Sequence, residues 1–273
     1  MANKAGANSV LKILEMKKRG EKITVVTAYD YPTARMADAA GLDILLVGDS
    51  LATVVQGRPT TLGATLDQMI YHAEAVARAA ERAMVVVDVP FPYCQLGPDE
   101  AVRACARILK ETEATAVKIE GGASRAETVR AVVAAGIPVF GHCGLVPQSV
   151  KALGGYKVQR DWDQLLEDAT AIQEAGAFAV VLECVEREHA AELSKRLTIP
   201  TIGIGSGVGC DGQVLVFHDL FNFSENDPSK TPKHARVYRD LGGLIGEGFR
   251  EYVADVKAGR FPGDAESFGA KKQ

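Results

Sequence analysis

No part of this chain comes near the roughly 20 consecutive apolar residues that a bilayer-spanning helix needs, so a helical membrane protein is not expected. Its first residues, MANKAGANSVLKILEMKKRGEK, are amphipathic and charged. They lack the apolar core and cleavage site of a secretory signal, and a cytoplasmic protein is the expectation. Neither sign of charge dominates: 31 Lys and Arg stand against 35 Asp and Glu, for a net charge of -4. That balance gives nucleic acid and anionic membranes no electrostatic handhold. The five cysteines, Cys94, Cys105, Cys143, Cys184 and Cys210, are odd in number and show no metal-type spacing, so they read as reduced thiols. A GxGxxG after the first strand is also missing, which removes the dinucleotide-binding signature.

What is present is a repeated alternation of short β-branched runs and Ala-rich amphipathic runs. The strand-like segments are KITVVTAYD, DILLVGDS, AMVVVDVPF, TAVKIEGG, IPVFGHCG, AFAVVLECV, IPTIGIGSG and QVLVFHDL. Most are separated by helix-like segments, the pattern of a parallel sheet with helical crossovers. Strands that are apolar almost throughout are buried on both faces, as parallel sheets require. Gly41, Gly136 and Gly176 each stand between a helix and the next strand, where a left-handed residue ends the helix. Eight such units in 273 residues predict an α/β fold of the (β/α)8 TIM barrel type. No linker composition interrupts them, so residues 1–273 are expected to form a single barrel domain. A short N-terminal helical segment precedes it, and a C-terminal helix lies near Tyr238 to Lys257.

In barrels of this kind the active site forms at the C-terminal ends of the strands. Those ends carry Tyr29 and Asp30, Asp49 and Ser50, Asp88, Lys118 and Glu120, His142, Glu183, Ser206, and His218 and Asp219. The strand bodies are almost free of charge, so the polar residues are placed, not scattered. Lys118 and Glu120 lie two apart and share a face; they are either a salt bridge or part of a charged site. Asp49, Asp88 and Glu120 together offer hard oxygen donors suited to magnesium, although each aspartate alone also suits a helix cap or an Asx turn. His142 is a site residue or a satisfied structural histidine. Asp30 and Asp219 look like capping residues. GIGSG is open to two readings, a phosphate-binding turn or a tight turn lining a pocket.

The ordered blocks VTAYDYPTA, LLVGDSL with VVQG, VVDVPF, VKIEGG, GHCGLVPQSV, GGYKVQ, VLECV, IPTIGIGSG and DGQVLVFHDL resemble the ketopantoate hydroxymethyltransferase family from about Ser9 to Phe268. The resemblance implies a barrel of the phosphoenolpyruvate mutase/isocitrate lyase type. It also implies transfer of a hydroxymethyl group from 5,10-methylenetetrahydrofolate to 3-methyl-2-oxobutanoate, the step of pantothenate biosynthesis that yields 2-dehydropantoate. Carried over by motif, Asp49, Asp88 and Glu120 are the Mg2+ ligands, and Ser50, Asp88, Lys118 and Asp49 hold the keto acid. Glu183 is the proton acceptor, and His142 faces the substrate. A cytoplasmic homo-oligomer, a decamer, is implied as well. The chain departs from the family pattern at Ser206, commonly Ala, and at Arg58, in a loop that often carries His.

The chemistry expected of these residues is a magnesium-stabilised enolate. A chelated ketone acidifies the neighbouring C–H, Lys118 places positive charge near the developing enolate oxygen, and Glu183, among Val181, Leu182 and Val185, removes the proton. One rival makes Lys118 a Schiff-base nucleophile. Another makes the chain a C–C or C–P lyase or mutase of the related barrels. A third is a non-catalytic barrel acting as a scaffold or binding module.

Overall fold

The computed structural model describes residues 7–149, 151, 158–223 and 231–269. Residues 154–157 of the GGYKVQ block therefore lie outside the described residues. Helix α1 (Val10–Arg19) starts at Ser9, whose hydroxyl accepts the Lys12 N–H, and ends at Gly20 in the left-handed region. Eight parallel strands follow: β1 (Ile23–Thr27), β2 (Ile44–Val47), β3 (Met84–Asp88), β4 (Ala116–Glu120), β5 (Val139–Gly144), β6 (Ala179–Glu183), β7 (Thr201–Ile204) and β8 (Gly212–Leu215). Each pairs with its neighbour in chain order, and β8 pairs with β1 through Ile23↔Gly212 and Val25↔Val214, closing the barrel.

Between the strands run α2 (Tyr31–Ala39), α3 (Leu51–Val54), α4 (Leu66–Ala79), α5 (Pro98–Glu111), α6 (Ala126–Ala134), α7 (Trp162–Glu174) and α8 (Arg187–Arg196). Asp30 caps α2, accepting the Thr33 N–H at 2.8 Å, as its position suggested. Gly41, Gly136 and Gly176 all have positive φ, where L side chains are strained. Helix α3 comes directly after Ser50, in a stretch that the sequence presents only as loop.

Side chains alternate in and out along a strand, and that parity organises the barrel. Ile44 and Leu46, Met84 and Val86, Ala116, Phe140, Ala179 and Val181, Ile202 and Ile204, and Val214 join Ile23 and Val25 in one buried cluster. The opposite parity, including Val85, Val87, Val117, Ile119, Val180 and Leu182, is buried too. One more step on the inward parity reaches Asp88 after Val86, Lys118 and Glu120 after Ala116, His142 after Phe140, and Glu183 after Val181. The apolar interior thus ends in a charged top step.

The eighth strand ends earlier than its sequence suggests. Ordered pairing stops at Leu215, and His218 and Asp219 lie on a helical turn, α9 (Phe217–Leu220), not at a strand end. The chain falls into two compact units, Met1–Val216 and Phe217–Gln273. In the second, Phe217 packs with Phe221 and Phe223, and α10 (Leu241–Lys257) begins at Asp240, which accepts the Gly243 N–H. That cap sets the start of α10 three residues later than the expected Tyr238.

Phe140 is fully buried, with its ring 5.6 Å from that of Phe178, and it stands one inward step below His142. Truncating it opens a cavity under the charged step. Phe140→Ala is expected to lower stability by about 3–5 kcal/mol, and Phe140→Leu by much less. Urea unfolding of both variants checks this; equal loss in the two would show that Phe140 is not packed as described.

Candidate active site

The predicted strand-end residues converge. Lys118 Nζ lies 2.7 Å from Asp88 Oδ1, and the pair is buried. The partner of Lys118 is therefore the aspartate on the neighbouring strand, its register mate, and not Glu120, which sits farther along the same strand. Asp88 Oδ2 accepts the backbone N–H of Asp49 at 3.0 Å. Gly48, just before it, leaves room for this turn: a Cβ there would stand 2.7 Å from Ser50 Oγ. Ser50 Oγ is 2.8 Å from the Tyr29 hydroxyl, so Ser50 is held from the end of β1.

On the other side of the mouth, His142 Nε2 lies 3.2 Å from Glu183 Oε2, while His142 Nδ1 is 3.9 Å from Glu120 Oε2. Glu183 is the most open of the four carboxylates, its side chain 17% exposed against 3% for Glu120. Its backbone is held tightly. The carbonyl accepts from Leu145 N at 2.8 Å, and the next residue, Cys184, has φ of 50° and donates to Ile204 O. A left-handed conformation at a non-glycine residue is uncommon and persists only where surrounding bonds enforce it.

Ser206 has no exposure and supplies one of those bonds. Its hydroxyl accepts from Val185 N at 3.0 Å and donates to Leu182 O at 2.7 Å. GIGSG is a turn with Gly205 and Gly207 at positive φ, and its serine hydroxyl braces the end of β6. The five cysteines are free thiols. A pocket of about 270 Å³ borders Glu120 and Gln148 and reaches Arg125 and Asp168.

Sequence inspection missed Gln148. Its backbone N–H donates to Glu120 Oε1 at 2.7 Å, and its side-chain Nε2 donates to Asp49 Oδ2 at 2.9 Å and to Val89 O at 3.0 Å. The only signal was its place in GHCGLVPQSV, a loop block with no strand or helix period to point it inward.

Burial, followed by the charge of Asp88, pushes the Asp49 carboxyl up to about 7. Glu120 is also raised well above the ordinary range, first by burial and then by Asp49. Burial opposes the charge on Lys118, but Asp88, Glu120 and Asp49 outweigh it and hold the ammonium protonated. Burial, and then Lys118, lowers His142, leaving a neutral imidazole. Among the described residues no three His, Cys, Asp or Glu side chains close into a complete metal cluster; Asp88 is turned to Lys118 and the Asp49 N–H. The donor set nevertheless suits a hard divalent cation. Asp49 and Glu120 are buried carboxylates that repel one another, and a cation between such groups removes the repulsion.

A closed parallel barrel with a ring of buried charge at its C-terminal mouth defines a (β/α)8-barrel enzyme. The chain belongs to the ketopantoate hydroxymethyltransferase family, whose sequence profile matches residues 7–264. It is 54% identical over 253 residues to the 3-methyl-2-oxobutanoate hydroxymethyltransferase of Rhodopirellula baltica, covering 93% of each chain. To the enzyme of the same name from Trichlorobacter lovleyi it is 53% identical over 263 residues, 95% of this chain and 98% of the relative. Among solved structures it resembles 2,3-dimethylmalate lyase, a PEP mutase/isocitrate lyase superfamily member. The TM-score is 0.60 at 18% identity, covering 97% of this chain and 93% of that one. Phosphonopyruvate hydrolase in complex with oxalate and Mg++ aligns with a TM-score of 0.62 at 12% identity, covering 96% and 93%. The expected barrel type is therefore the observed one.

The raised Asp49 carboxyl makes the metal-free protein pH-sensitive. A carboxyl raised on folding contributes stability that is fully present below its ordinary value of 3.8 and is lost as pH rises through about 7. Metal-free wild type should lose stability across that window, and Asp49→Asn should flatten the loss. Urea midpoints against pH in chelator measure it; identical slopes for the two proteins would contradict the burial described.

Proposed function

We propose that this chain transfers a hydroxymethyl group from 5,10-methylenetetrahydrofolate to 3-methyl-2-oxobutanoate, giving 2-dehydropantoate, with magnesium at the barrel mouth. The observation that carries this is a buried Lys118 among Asp49, Asp88 and Glu120, with Glu183 on the sixth strand across the mouth from the strand that carries Asp49, in a chain of this family. Asp49, Asp88 and Glu120 would hold the magnesium. When bound, it supplies Lewis-acid polarisation of the keto acid's ketone. Phosphonopyruvate hydrolase, a protein of this fold, is named in complex with oxalate and Mg++, which is in keeping with this reading.

The chain's own residues do the rest. Ser50, Asp88, Lys118 and Asp49 bind and orient the keto acid. Lys118 presents a fixed positive charge where the enolate oxygen develops; already held by Asp88 at 2.7 Å, it needs no reorganisation at the moment of reaction. Glu183 takes the proton from C3, and the electron pair left behind becomes the enolate, whose C3 bonds to the methylene carbon of the folate; the two C–N bonds of that carbon break, one water supplies the hydroxyl oxygen, and the folate nitrogens leave carrying protons. A base on β6 stands opposite β2 in an eight-strand circle, so it reaches C3 from the side away from Asp49. Neutral His142, 3.2 Å from Glu183 Oε2, faces the substrate and steadies the base.

The test is deuterium exchange at C3 of 3-methyl-2-oxobutanoate in heavy water with magnesium and without folate, followed by turnover with the folate. Wild type should exchange and turn over. Glu183→Gln should keep magnesium and keto-acid binding while exchange falls about 10²- to 10⁴-fold. Exchange at the wild-type rate in the variant would remove Glu183 as the base, and wild type without exchange or turnover would refute the function.

The same proposal makes the protein a cytoplasmic homo-oligomer, a decamer as the family resemblance implies. Sedimentation should show a large assembly; a monomer at micromolar concentration would contradict the assembly and leave the chemistry standing.

A further inference from the structure

We infer that Gln148 is a positioning residue that sets the spacing of the Asp49 and Glu120 carboxylates and so prepares the mouth for a small divalent cation. This rests on the assignment of those two residues as metal ligands. Gln148 is buried and reaches both of them, Glu120 Oε1 from its backbone N–H at 2.7 Å and Asp49 Oδ2 from its side chain at 2.9 Å. Each carboxylate is thus tied by one oxygen and presents the other. Asp49 and Glu120 come from β2 and β4, two strands apart, and no bond joins them directly among the described residues. Gln148 is the group that spans them.

The orientation of the amide is determined by its partners. A carboxylate oxygen and the Val89 carbonyl can only accept, so Nε2 must face both and spend its two hydrogens on them. Oε1 then points away and accepts from Gln95 Nε2 at 3.1 Å. Gln95 completes a relay in which every Gln148 hydrogen-bonding group of the side chain is engaged. The side chain therefore has one placement, and Asp49 inherits it. Outer groups that hold metal ligands in this way typically contribute 10- to 100-fold in affinity.

Magnesium requires near-octahedral geometry at about 2.0–2.1 Å, whereas calcium accepts looser oxygens at about 2.3–2.6 Å. A pair of carboxylates held at set spacing should favour the smaller ion, and a loosened pair should favour it less. That distinction separates positioning from a general effect on folding.

The experiment is calorimetric titration of magnesium and of calcium into wild type, Gln148→Leu, Gln95→Leu and the double variant, with circular dichroism to check the fold. Gln148→Leu keeps the backbone bond to Glu120 and removes the side-chain tie to Asp49. Its magnesium affinity should fall about 10- to 100-fold with a smaller fall for calcium. Gln95→Leu should shift the preference in the same direction by less, and the double variant should be no worse than Gln148→Leu, because Gln95 acts through Gln148. Wild-type affinities in Gln148→Leu, or an equal loss of both ions, would overturn the inference while leaving the metal assignment intact. Should Gln148→Leu not fold, Gln95→Leu decides: a shifted ion preference supports the role and an unchanged one overturns it. Wild type that binds no magnesium would sink the metal assignment, and this inference with it.

Discussion

Lys118 against Asp88, 2.7 Å apart and sealed from water, is the contact on which the rest of the mouth depends. Removing one member of a buried ion pair leaves an uncompensated charge, at a cost of about 3–5 kcal/mol. Here the lysine answers for more than one carboxylate. Once Asp88 is turned toward it, the other Asp88 oxygen accepts the Asp49 N–H; Asp49 in turn accepts from Gln148, and Gln148 donates its backbone N–H to Glu120. Glu120 is on β4, the strand that carries Lys118. The chain of bonds returns to the strand where it began, so no member can move without disturbing the others.

The barrel makes this circuit possible by parity and register. Residues two apart share a face, and Lys118 and Glu120 rise from the same inward column as Ala116. Slipping β4 by one residue would aim Ile119 at the mouth and both charges into the helices. Both parities of β4 are apolar below the mouth, so what opposes the slip is the cost of burying Lys118 and Glu120 away from their partners. Across the circle, β6 receives a separate brace. Ser206, Leu145 and Ile204 all bond its end, which places Glu183 firmly although its carboxylate is the most open of the set.

Much of this was legible in the chain. Apolar runs ending in a single charged residue are hard to produce except at the mouth of a parallel barrel, so Asp88, Lys118, Glu120, His142 and Glu183 followed from strand period alone. The cap at Asp30 followed from its place before a helical run. What was hidden falls into two kinds. The pairing of Lys118 depends on inter-strand register, and a single strand's sequence offers Glu120 as the nearer partner. Gln148 acts from a loop, through a backbone N–H that any residue but proline possesses and an amide whose direction comes from Asp49 and Val89. The apolar VLVF also overstated β8: strand propensity continues past Leu215, but barrel pairing stops there and Phe217 starts a helical turn.

The geometry also bears on which chemistry Lys118 can perform. A Schiff-base lysine must offer a neutral amine to a carbonyl carbon, and enzymes achieve this by desolvation or by a neighbouring cation. Desolvation is present here, but the neighbours are anions: Asp88 in contact, with Glu120 and Asp49 close behind, hold the ammonium above its ordinary value. An ammonium so fixed is a poor nucleophile and a good permanent charge. In the proposed reaction its use to a keto acid would lie in the transition state, where negative charge moves onto an oxygen that a fixed ammonium can meet. The carboxylates that keep it charged are the same ones proposed to hold the cation, so one arrangement would serve both the electrostatic role of Lys118 and the proposed metal site.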